Sequence, residues 1–286
     1  MDLEWIILTC GDRPAELARL LSSLAPCTDD VTVVLNTDEP RPEPADLPRA
    51  PRVNWSEPGR NLGIPAGRDH ATQRSDADVF VFLDDDATLL TPTASQRIAQ
   101  LFADDPQLGA VSFRLLDEHG ATARRHVPRL GAADPTVAGP VAYFLGGACA
   151  IRSVAYRRAG GYWGELFYGH EELDLAWRLA DAGYEIEYHP DICVEHPRTS
   201  IGRHPDGWFR TGRNRVMIAR RNLPQPLALG HALMWAVLGA VRARRDRAVG
   251  PYLRGWLGGW PEPVVRNPIR WSTVWSIGRS GRFPIV

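Results

Sequence analysis

Short apolar runs alternate with helical patterns along the N-terminal part of the chain. Residues 5–9 and 31–35 are mostly apolar and rich in β-forming residues, and leucines recur at helical spacing between them. The run 79–83 is apolar at every position, which is typical of a parallel strand buried on both faces. Strands separated by helices predict an α/β fold with a mostly parallel sheet flanked by helices.

The middle of the chain carries a second set of elements. An apolar segment, 141–152, is interrupted by Gly146 and Gly147, which suggests that the backbone closely approaches another group there. A helical pattern begins at Glu172 and stops at Gly183, a residue type common just past helix ends.

Three further segments complete the outline. A proline-rich stretch, 40–51, predicts an irregular surface loop, and 53–55 predicts a short strand. Apolar and acidic residues alternate over 184–188, as in a half-exposed strand. From about residue 223 the chain becomes rich in Trp, Gly and Pro and includes one long apolar segment, which predicts a mainly helical C-terminal extension.

Composition limits the class of protein. A hydrophobic fraction of 44% and a charged fraction of 23% are ordinary for a soluble globular protein, and a net charge of -1 gives no reason to expect nucleic-acid binding. The four cysteines form no CxxC pair, which argues against a zinc or redox motif. The opening MDLEWIILTCG is acidic where a signal peptide is basic, and no run of about 20 apolar residues stands out. We therefore expect a cytoplasmic protein.

The first candidate site is a run of three aspartates, Asp84, Asp85 and Asp86, directly after the apolar run 79–83. In open α/β sheets ligands bind outside the carboxyl ends of the strands, so these acids would face the ligand crevice. A cluster of hard oxygen ligands suits Mg²⁺ or Mn²⁺, commonly together with substrate phosphates. The alternative is a solvated turn, which the following sequence ATLL does not favour.

A second acidic cluster, Glu171, Glu172 and Asp174, opens the predicted central helix. Acids in a first helical turn are common because they interact favourably with the helix dipole. The preceding GGYWGELFYGH, rich in glycine and aromatic residues, resembles a loop that lines a site, so one of these carboxylates could act as a general base. His196 follows later in CVEHP; a lone histidine is usually structural, but an imidazole ligand would favour Mn²⁺.

The segment 60–71, RNLGIPAGRDHA, has two glycines and a proline at the start of a predicted helix. This form is compatible with backbone N–H groups that approach a phosphate. As a motif it is weak, because it matches neither GxxxxGK[ST] nor GxGxxG.

Taken in order, these pieces resemble the family 2 glycosyltransferases of the GT-A fold over about residues 3–224. The resemblance is carried by ILTCGDRP, VTVVLNTD, RNLGIPAGRD, VFVFLDDD, FLGGACAIR, GGYWGELFYGHEELDLAWRLADAGY, the later VEH and WFRTGRNRVMIARRNLP. A histidine after the second acidic motif, followed by an Arg-Asn pair, looks most like the rhamnosyl- and galactofuranosyltransferase-like members.

The resemblance implies roles for individual residues. Asp86 and His196 would bind Mn²⁺ or Mg²⁺, which bridges the donor's diphosphate, and Asp84 would lie near the ribose or the donor sugar. Glu171 aligns with the general base, with Glu172 close enough to compete. The remaining residues implied to border the nucleotide are Thr9, Gly11, Arg13, Asn36, Asn61, Gly63, Arg68 and Asp85.

The resemblance also implies an activity and an organisation. The expected reaction is inverting, metal-dependent transfer of a sugar from a UDP, dTDP or GDP donor to a hydroxyl of a small molecule, a glycan or a lipid-linked acceptor. Where many members have a nucleobase-binding aspartate, this chain has Leu35 followed by Asn36, so the nucleobase stays open. The catalytic domain would cover 1–222, with a nucleotide-sugar half over about 1–90 and an acceptor half over about 91–222. A helical or irregular C-terminal extension would follow over 223–286.

Two other functions compete with this one. A sugar nucleotidyltransferase also combines an α/β fold with metal-binding acids, but it would be expected to carry a basic, glycine-rich loop after the first strand, which TCGDRP poorly matches. A catalytically degenerate binding or scaffold protein is the other alternative. The joint presence of Asp84, Asp86, Glu171 and His196 argues against lost chemistry.

The apolar segment of the extension, 227–241, is followed by the basic RARRDR. This pattern fits a helix at a membrane interface, with its arginines against anionic lipid. The alternative is a helix that packs on the catalytic domain or forms a homodimer contact. The sequence favours the alternative, because His231 and the glycines make deep lipid insertion unfavourable.

Overall fold

The computed structural model describes residues 1–39, 47–129, 134–197, 206–280 and 283–284, so part of the predicted proline-rich loop lies outside the described residues. Within these ranges one sheet has nine strands in the order β3-β2-β1-β4-β8-β6-β9-β5, with β7 paired to β9. The strands are β1 (Leu3–Thr9), β2 (Asp30–Leu35), β3 (Arg52–Ser56), β4 (Val79–Asp84), β5 (Thr88–Leu89), β6 (Leu108–Leu116), β7 (Gly139–Pro140), β8 (Ala148–Arg152) and β9 (Glu185–Glu195).

Helices cover the sheet and form the C-terminal region. They are α1 (Pro14–Leu24), α2 (Gly63–Thr72), α3 (Ala94–Asp104), α4 (Ser153–Arg158), α5 (Glu171–Asp181), α6 (Gly207–Asn222), α7 (Gln225–Ala243), α8 (Val249–Gly258) and α9 (Trp271–Arg279). The predicted α/β class, with a helix-flanked sheet and a helical extension, is confirmed.

The N-terminal half of the sheet is parallel, from β3 through β2 and β1 to β4. Successive residues of its central strands enter opposite cores. Trp5 and Val81 pack with side chains of α1 and α3, whereas Ile6 and Phe82 pack with side chains of α4 and α5. Because both faces are covered, β4 must be apolar at every position, as its sequence indicates.

Beyond β4 the sheet becomes mixed. β8 runs antiparallel to both β4 and β6, and β6 is parallel to β9. Only the last five residues of the predicted apolar segment, 148–152, form this strand. The preceding turn places Gly147 beside the end of β4, where its carbonyl accepts a hydrogen bond of 3.2 Å from the amide of Asp84.

The last strand, β9, is longer than the alternation over 184–188 predicts. It continues through an irregularity to Glu195, where it pairs with Thr88 of β5. The amide of His196 then donates to the carbonyl of Leu116 at 2.8 Å. This extension carries His196 to the carboxyl end of β4, 112 positions after Asp84 in the sequence.

The C-terminal helices pack against the helical layer of the domain. The predicted boundary near residue 222 falls between the end of α6 and the start of α7. One buried hydrophobic cluster spans this boundary. It includes Ile218 from α6, Leu227 from α7 and Val274 from α9.

Among the described helices, α7 is long and apolar enough to cross a membrane, judged by length and composition alone. The expectation that no segment reaches this length was therefore wrong, because the helix extends two residues to either side of the apolar run 227–241. Core helices of ordinary proteins can pass the same test, so the contacts of α7 decide what this length means.

Asp174 joins the helical layers from a fully buried position. Its carboxylate accepts hydrogen bonds from Arg178 on its own helix (Nε, 3.1 Å), from Arg221 Nη1 at 3.0 Å and from Asn222 Nδ2 at 2.7 Å, both on α6. A buried charge is tolerated only when it is paired and hydrogen-bonded, and this one is. The third acid of the second cluster thus holds α5 to α6.

We expect Asp174→Asn to lower the free energy of unfolding by about 3–5 kcal/mol, because two arginines would lose their buried counter-charge. Denaturant unfolding monitored by circular dichroism measures the change. Asp104→Asn, at an exposed helix end, is the matched control and should cost less than about 0.5 kcal/mol. Equal effects of the two substitutions would contradict the structural role of Asp174.

Candidate active site

The three consecutive aspartates at the end of β4 diverge. Asp85 turns into the protein, where Thr9 donates its hydroxyl to Oδ2 at 2.7 Å and Arg13 Nη1 lies 3.1 Å from Oδ1. Asp86 also receives a hydrogen bond from Arg13 Nη1. Asp85 therefore links the ends of β1 and β4 through a hydrogen bond. Asp84 and Asp86 are the two acids that can face the crevice.

Asp84, Asp86 and His196 converge on one point. His196 Nε2 lies 3.3 Å from Asp84 Oδ2 and 3.2 Å from Asp86 Oδ1, and one ligand atom from each residue can be chosen so that all lie within 4.8 Å of one another. The side chains of Asp86 and His196 are 6% and 12% exposed, and that of Asp84 is 35% exposed, so the cluster opens to solvent on the Asp84 side.

In this group the two carboxylates favour the charged form of the imidazole, and the imidazolium favours the charged forms of the carboxylates. Burial alone would raise the pKa of Asp84 and of Asp86, but hydrogen bonds and attraction from His196, with Arg68 at Asp84, hold both pKa values below their ordinary value. Burial would likewise lower the pKa of His196, yet the two carboxylates raise it to about 10. In Asp85 burial dominates and raises the pKa to about 6.

This donor set fits a divalent cation. Two carboxylates and one imidazole supply hard oxygen ligands and one nitrogen, a combination suited to Mn²⁺. A cation at this point would replace the imidazolium proton between the two carboxylates. Asp84, implied by the resemblance to lie near the sugar or ribose, stands with Asp86 and His196 in this group.

Arg68 connects the group Asp84, Asp86 and His196 with the second acidic cluster. Its side chain is 3% exposed, Nη2 donates to Asp84 Oδ1 at 2.7 Å, and Nη1 lies 3.8 Å from Glu171 Oε1. Although burial disfavours a charged guanidinium, the neighbouring carboxylates raise its pKa further above the ordinary value. Arg68 was predicted to border the nucleotide; the structure places it between the two groups of acids.

Glu171 and Glu172 differ in exposure. Glu171 is 2% exposed, and its Oε2 has no hydrogen-bond partner among the described residues, whereas Glu172 is partly exposed. Burial raises the pKa of both carboxyl groups, to about 8 for Glu171, where the charge of Glu172 adds to the effect and Arg68 opposes it. Both groups therefore hold a proton more strongly than an ordinary glutamate, and Glu172 is the one that solvent reaches.

The loop before α5 is held in an unusual conformation. Phe167 and His170 have positive φ angles of 60° and 71°, which non-glycine residues rarely adopt. Asn214 on α6, part of the Arg-Asn pair singled out in the sequence, is fully buried and holds this loop. Its Nδ2 lies 2.9–3.0 Å from the carbonyls of Leu166, Tyr168 and Gly169.

The start of α2 does not present its backbone donors to a ligand. The amides of Leu62 and Gly63 donate to the side chains of Asn36 (2.7 Å) and Asn61 (2.9 Å), and that of Ile64 donates to the carbonyl of Phe167 at 2.7 Å. These three amides are therefore occupied by protein groups in this structure, and the phosphate-binding role of the segment stays a prediction.

Gly63 permits this arrangement. Its φ is +76°, and a Cβ built there would lie 2.4 Å from the carbonyl oxygen of Phe167. Asn36 is also occupied, since its Nδ2 donates to Asn61 Oδ1 (3.2 Å) and to the Gly63 carbonyl (3.1 Å). Asn36, Asn61 and Gly63 therefore join β2 to α2, at the edge of the crevice.

The other residues implied for the nucleotide lie at the end of β1. Gly11 has φ +72° and donates its amide to Thr9 Oγ1 at 3.0 Å, which forms the turn that leads to Arg13. Sequence reasoning missed the exposed Asp38, whose Oδ1 accepts the amide of Asn61 at 2.9 Å. Its position in LNTD, just after β2, could have indicated that it lies at the crevice.

A separate cleft of about 630 Å³ lies beside the strained loop. Its lining includes Phe167, Phe209, Arg210, Arg213 and Glu262, and none of the three residues that could hold a metal ion. The ring of Phe167 stacks 4.2 Å from the Arg210 guanidinium, while its carbonyl contacts α2. The cleft is therefore separate from Asp84, Asp86 and His196.

No protein-family model matches the sequence, and comparison with curated proteins gives no match. Solved structures do match. GalNAc-T7 with UDP, GalNAc and Mn²⁺ aligns at a TM-score of 0.61 and 13% identity, over 90% of this chain and 54% of that one, so this chain spans about half its length. The 1–349 fragment of S. aureus TarS with UDP-GlcNAc aligns at 0.61 and 12%, over 91% and 79%.

A mannosyltransferase, PcManGT from Pyrobaculum calidifontis in complex with GDP-Man and Mn²⁺, aligns at a TM-score of 0.54 and 15% identity, over 98% of this chain and 72% of that one. At such low identities the likeness shows the fold alone. The chain has the GT-A fold, as the sequence resemblance implied.

Gly147 is packed against the cluster so closely that any side chain would disturb it. A Cβ there would lie 2.3 Å from Asp84 Oδ2, so Gly147→Ala must displace this carboxylate. We expect its Mn²⁺ affinity to fall by about 10- to 100-fold. Electron paramagnetic resonance of free Mn²⁺ measures the affinity. Gly250→Ala, with no atom within 4 Å of its Cβ, should change nothing; unchanged affinity in Gly147→Ala would remove Asp84 from the metal site.

Proposed function

We propose that this protein is a metal-dependent glycosyltransferase that moves a sugar from a nucleoside-diphosphate donor to an acceptor hydroxyl, with inversion at the anomeric carbon. The single observation that carries the proposal is the arrangement Asp84–Asp86–His196, joined through Arg68 to a second carboxylate pair. Support comes from the fold, which the chain shares with proteins solved with UDP-GlcNAc, GDP-Man and Mn²⁺.

Asp84, Asp86 and His196 would hold Mn²⁺ or Mg²⁺. Such a cation, when bound, neutralises negative charge that develops on a departing diphosphate. Around it, Arg13 and Thr9 fix Asp85, and Arg13 also bonds Asp86, so the acids stay in place without rearrangement. Preorganised charges of this kind are usually the largest contribution to catalysis.

The base is proposed to be in the Glu171–Glu172 pair, and exposure favours Glu172. A base must come within hydrogen-bond distance of the acceptor hydroxyl, which the 2% exposed Glu171 cannot do without a change in the loop. Glu172 is partly exposed, and burial raises its pKa toward the range useful for proton removal at neutral pH. Glu171, beside Arg68, would position its neighbour. This reverses the order that the sequence resemblance implied.

An inverting mechanism follows from this assignment. Glu172 would take the proton from the acceptor hydroxyl while the hydroxyl oxygen attacks the anomeric carbon. The bond between the anomeric carbon and the diphosphate would break on the opposite face. A single displacement needs one base, and one carboxylate pair faces the metal cluster across Arg68 in the described part of the chain. The joint presence of Asp84, Asp86 and His196 also supports an active enzyme over a degenerate scaffold. The segment after β1, TCGDRP, is not the basic, glycine-rich loop expected of a nucleotidyltransferase.

The resemblance to the rhamnosyl- and galactofuranosyltransferase-like members of family 2 supports a hexosyl or deoxyhexosyl donor. UDP, dTDP and GDP stay the candidate nucleotides. Asn36, which follows Leu35 at the position of the expected nucleobase-binding aspartate, has its side chain engaged with Asn61, Leu62 and Gly63. The nearby Asp38 is exposed, so a bound nucleobase could reach its carboxylate.

The proposal is tested by calorimetric titration with UDP, dTDP and GDP, each with and without Mn²⁺. We expect one nucleotide to bind in a metal-dependent way, and Asp86→Ala to weaken that binding by at least about tenfold. Asp104→Ala, exposed and distant from the cluster, should bind normally. If a folded protein binds none of the three nucleotides, the transferase proposal fails.

The two glutamates are separated by matched substitutions. Glu172→Gln should reduce transfer of the identified donor's sugar by about 10²- to 10⁴-fold while nucleotide affinity stays within about twofold, because only the proton acceptor is lost. Glu171→Gln should reduce it less. Radiolabelled sugar transfer, or donor hydrolysis when the acceptor is not yet known, gives the rates. A larger loss in Glu171→Gln would assign the base to Glu171.

A further inference from the structure

The charge of the chain is divided unevenly between its two parts. Residues 223–286 contain nine arginines and two acidic residues, a charge of +7. The remaining 24 basic and 32 acidic residues give 1–222 a charge of -8. A strong charge asymmetry of this kind points to an interaction of the basic part with an anionic surface.

Helix α7 has an apolar row on its exposed side. Leu229, Leu233, Val237 and Val241 recur every fourth residue and are 53%, 52%, 63% and 53% exposed, and Met234 beside them is 41% exposed. Four residues advance an α-helix by slightly more than one turn, so this row is one continuous strip along the helix. Contiguous exposed apolar strips on a protein surface mark interaction sites.

The opposite side of α7 is packed. His231 is 1% exposed, with Nδ1 2.7 Å from the carbonyl of Pro284, and Gly239 has no room for a side chain because Tyr252 lies against it. The histidine and the buried glycine that made lipid contact unfavourable in the sequence thus face the protein. They are no objection to lipid contact by the exposed strip.

Two helices near α7 also carry exposed apolar side chains. On α8, Tyr252 and Trp256 donate hydrogen bonds to carbonyls of α7, and the next residue in each case, Leu253 or Leu257, is 37% or 61% exposed. On α9, Trp275 is 59% exposed. The α7 surface is hereafter the apolar strip of α7 alone.

Arginines border the α7 surface at one end. Arg242, Arg244, Arg245 and Arg247 follow the strip, are exposed, and enclose a single acid, Asp246. The carboxylate of Asp246 accepts the indole N–H of Trp208 at 3.0 Å. Apolar and aromatic side chains on one face with arginines alongside are typical of elements that lie in a membrane interface.

We propose that the α7 surface docks the protein onto the surface of an anionic lipid bilayer. The strip would enter the boundary between headgroups and acyl chains, and the arginines would contact lipid phosphates. The proposal is independent of the transferase proposal, since it uses no residue of the acid cluster.

Charge complementarity favours lipid over the other possible occupants. A second copy of the chain would offer the same surface, which carries almost no acid to pair with the arginines; across 225–258 there are five arginines and one aspartate. A spanning arrangement is disfavoured because seven residues of α7, from Leu227 to Ala243, are buried against the protein. A helix packed along one side can lie on a bilayer but cannot be surrounded by it.

Vesicle flotation tests the proposal with the full-length chain. We expect it to float with phosphatidylcholine vesicles that contain about one third phosphatidylglycerol, to bind pure phosphatidylcholine much more weakly, and to be released as salt rises. The double variant Leu233→Glu/Val237→Glu should reduce partitioning at least about tenfold. The triple variant Arg244→Gln/Arg245→Gln/Arg247→Gln should reduce it by about 100-fold on anionic vesicles only.

Val154→Glu, at an equally exposed valine on α4, is the matched control and should float like the wild type. Cooperative thermal unfolding at an unchanged Tm shows that each variant is folded. Absence of flotation with anionic vesicles, or equal losses in Val154→Glu, overturns the proposal. Sedimentation velocity without vesicles supplies the competing result: a dimer that Leu233→Glu/Val237→Glu converts to monomer, with no flotation, would assign the surface to a second copy. These outcomes do not depend on nucleotide binding.

Discussion

The site depends on one buried guanidinium. Arg68 is almost fully enclosed and has carboxylates on both sides, Asp84 at 2.7 Å and Glu171 at 3.8 Å. A buried arginine without such partners would be strongly unfavourable, and two adjacent groups of acids without a cation between them would repel each other. Each charge is therefore stable only while the others stay in place, which fixes the end of β4, the middle of α2 and the start of α5 relative to one another.

This arrangement leaves no space for side chains where the backbone closes around it. A Cβ at Gly146 would lie 2.5 Å from Glu172 Oε1 and 2.7 Å from Arg68 Nη1, and one at Gly147 would meet Asp84. The two glycines let the turn before β8 pass beside the charges, and β8 then pairs with β4. The change from parallel to antiparallel strands thus occurs where the two groups of acids must meet.

The sequence could predict what depends on local pattern. The buried strand β4, the acids at its end and the start of α5 are all visible as periodicity or composition, and Gly146-Gly147 signalled a close approach. Side-chain direction was not visible: Asp85 turns to Thr9, 76 positions away, and α2 closes its N terminus on Phe167. A signal for Arg68 did exist, because Pro65, Arg68 and Thr72 share the buried face of α2.

The opposite charges of the two parts of the chain would orient the molecule on an anionic bilayer. Residues 1–222, of charge -8, are repelled by an anionic bilayer, and residues 223–286, of charge +7, are attracted to it. On the proposed docking, the two forces turn the molecule the same way, with α7 toward the lipid and the acidic region away from it. The apolar strip then needs to supply only short-range attachment, because orientation is already set by the separation of charge along the sequence.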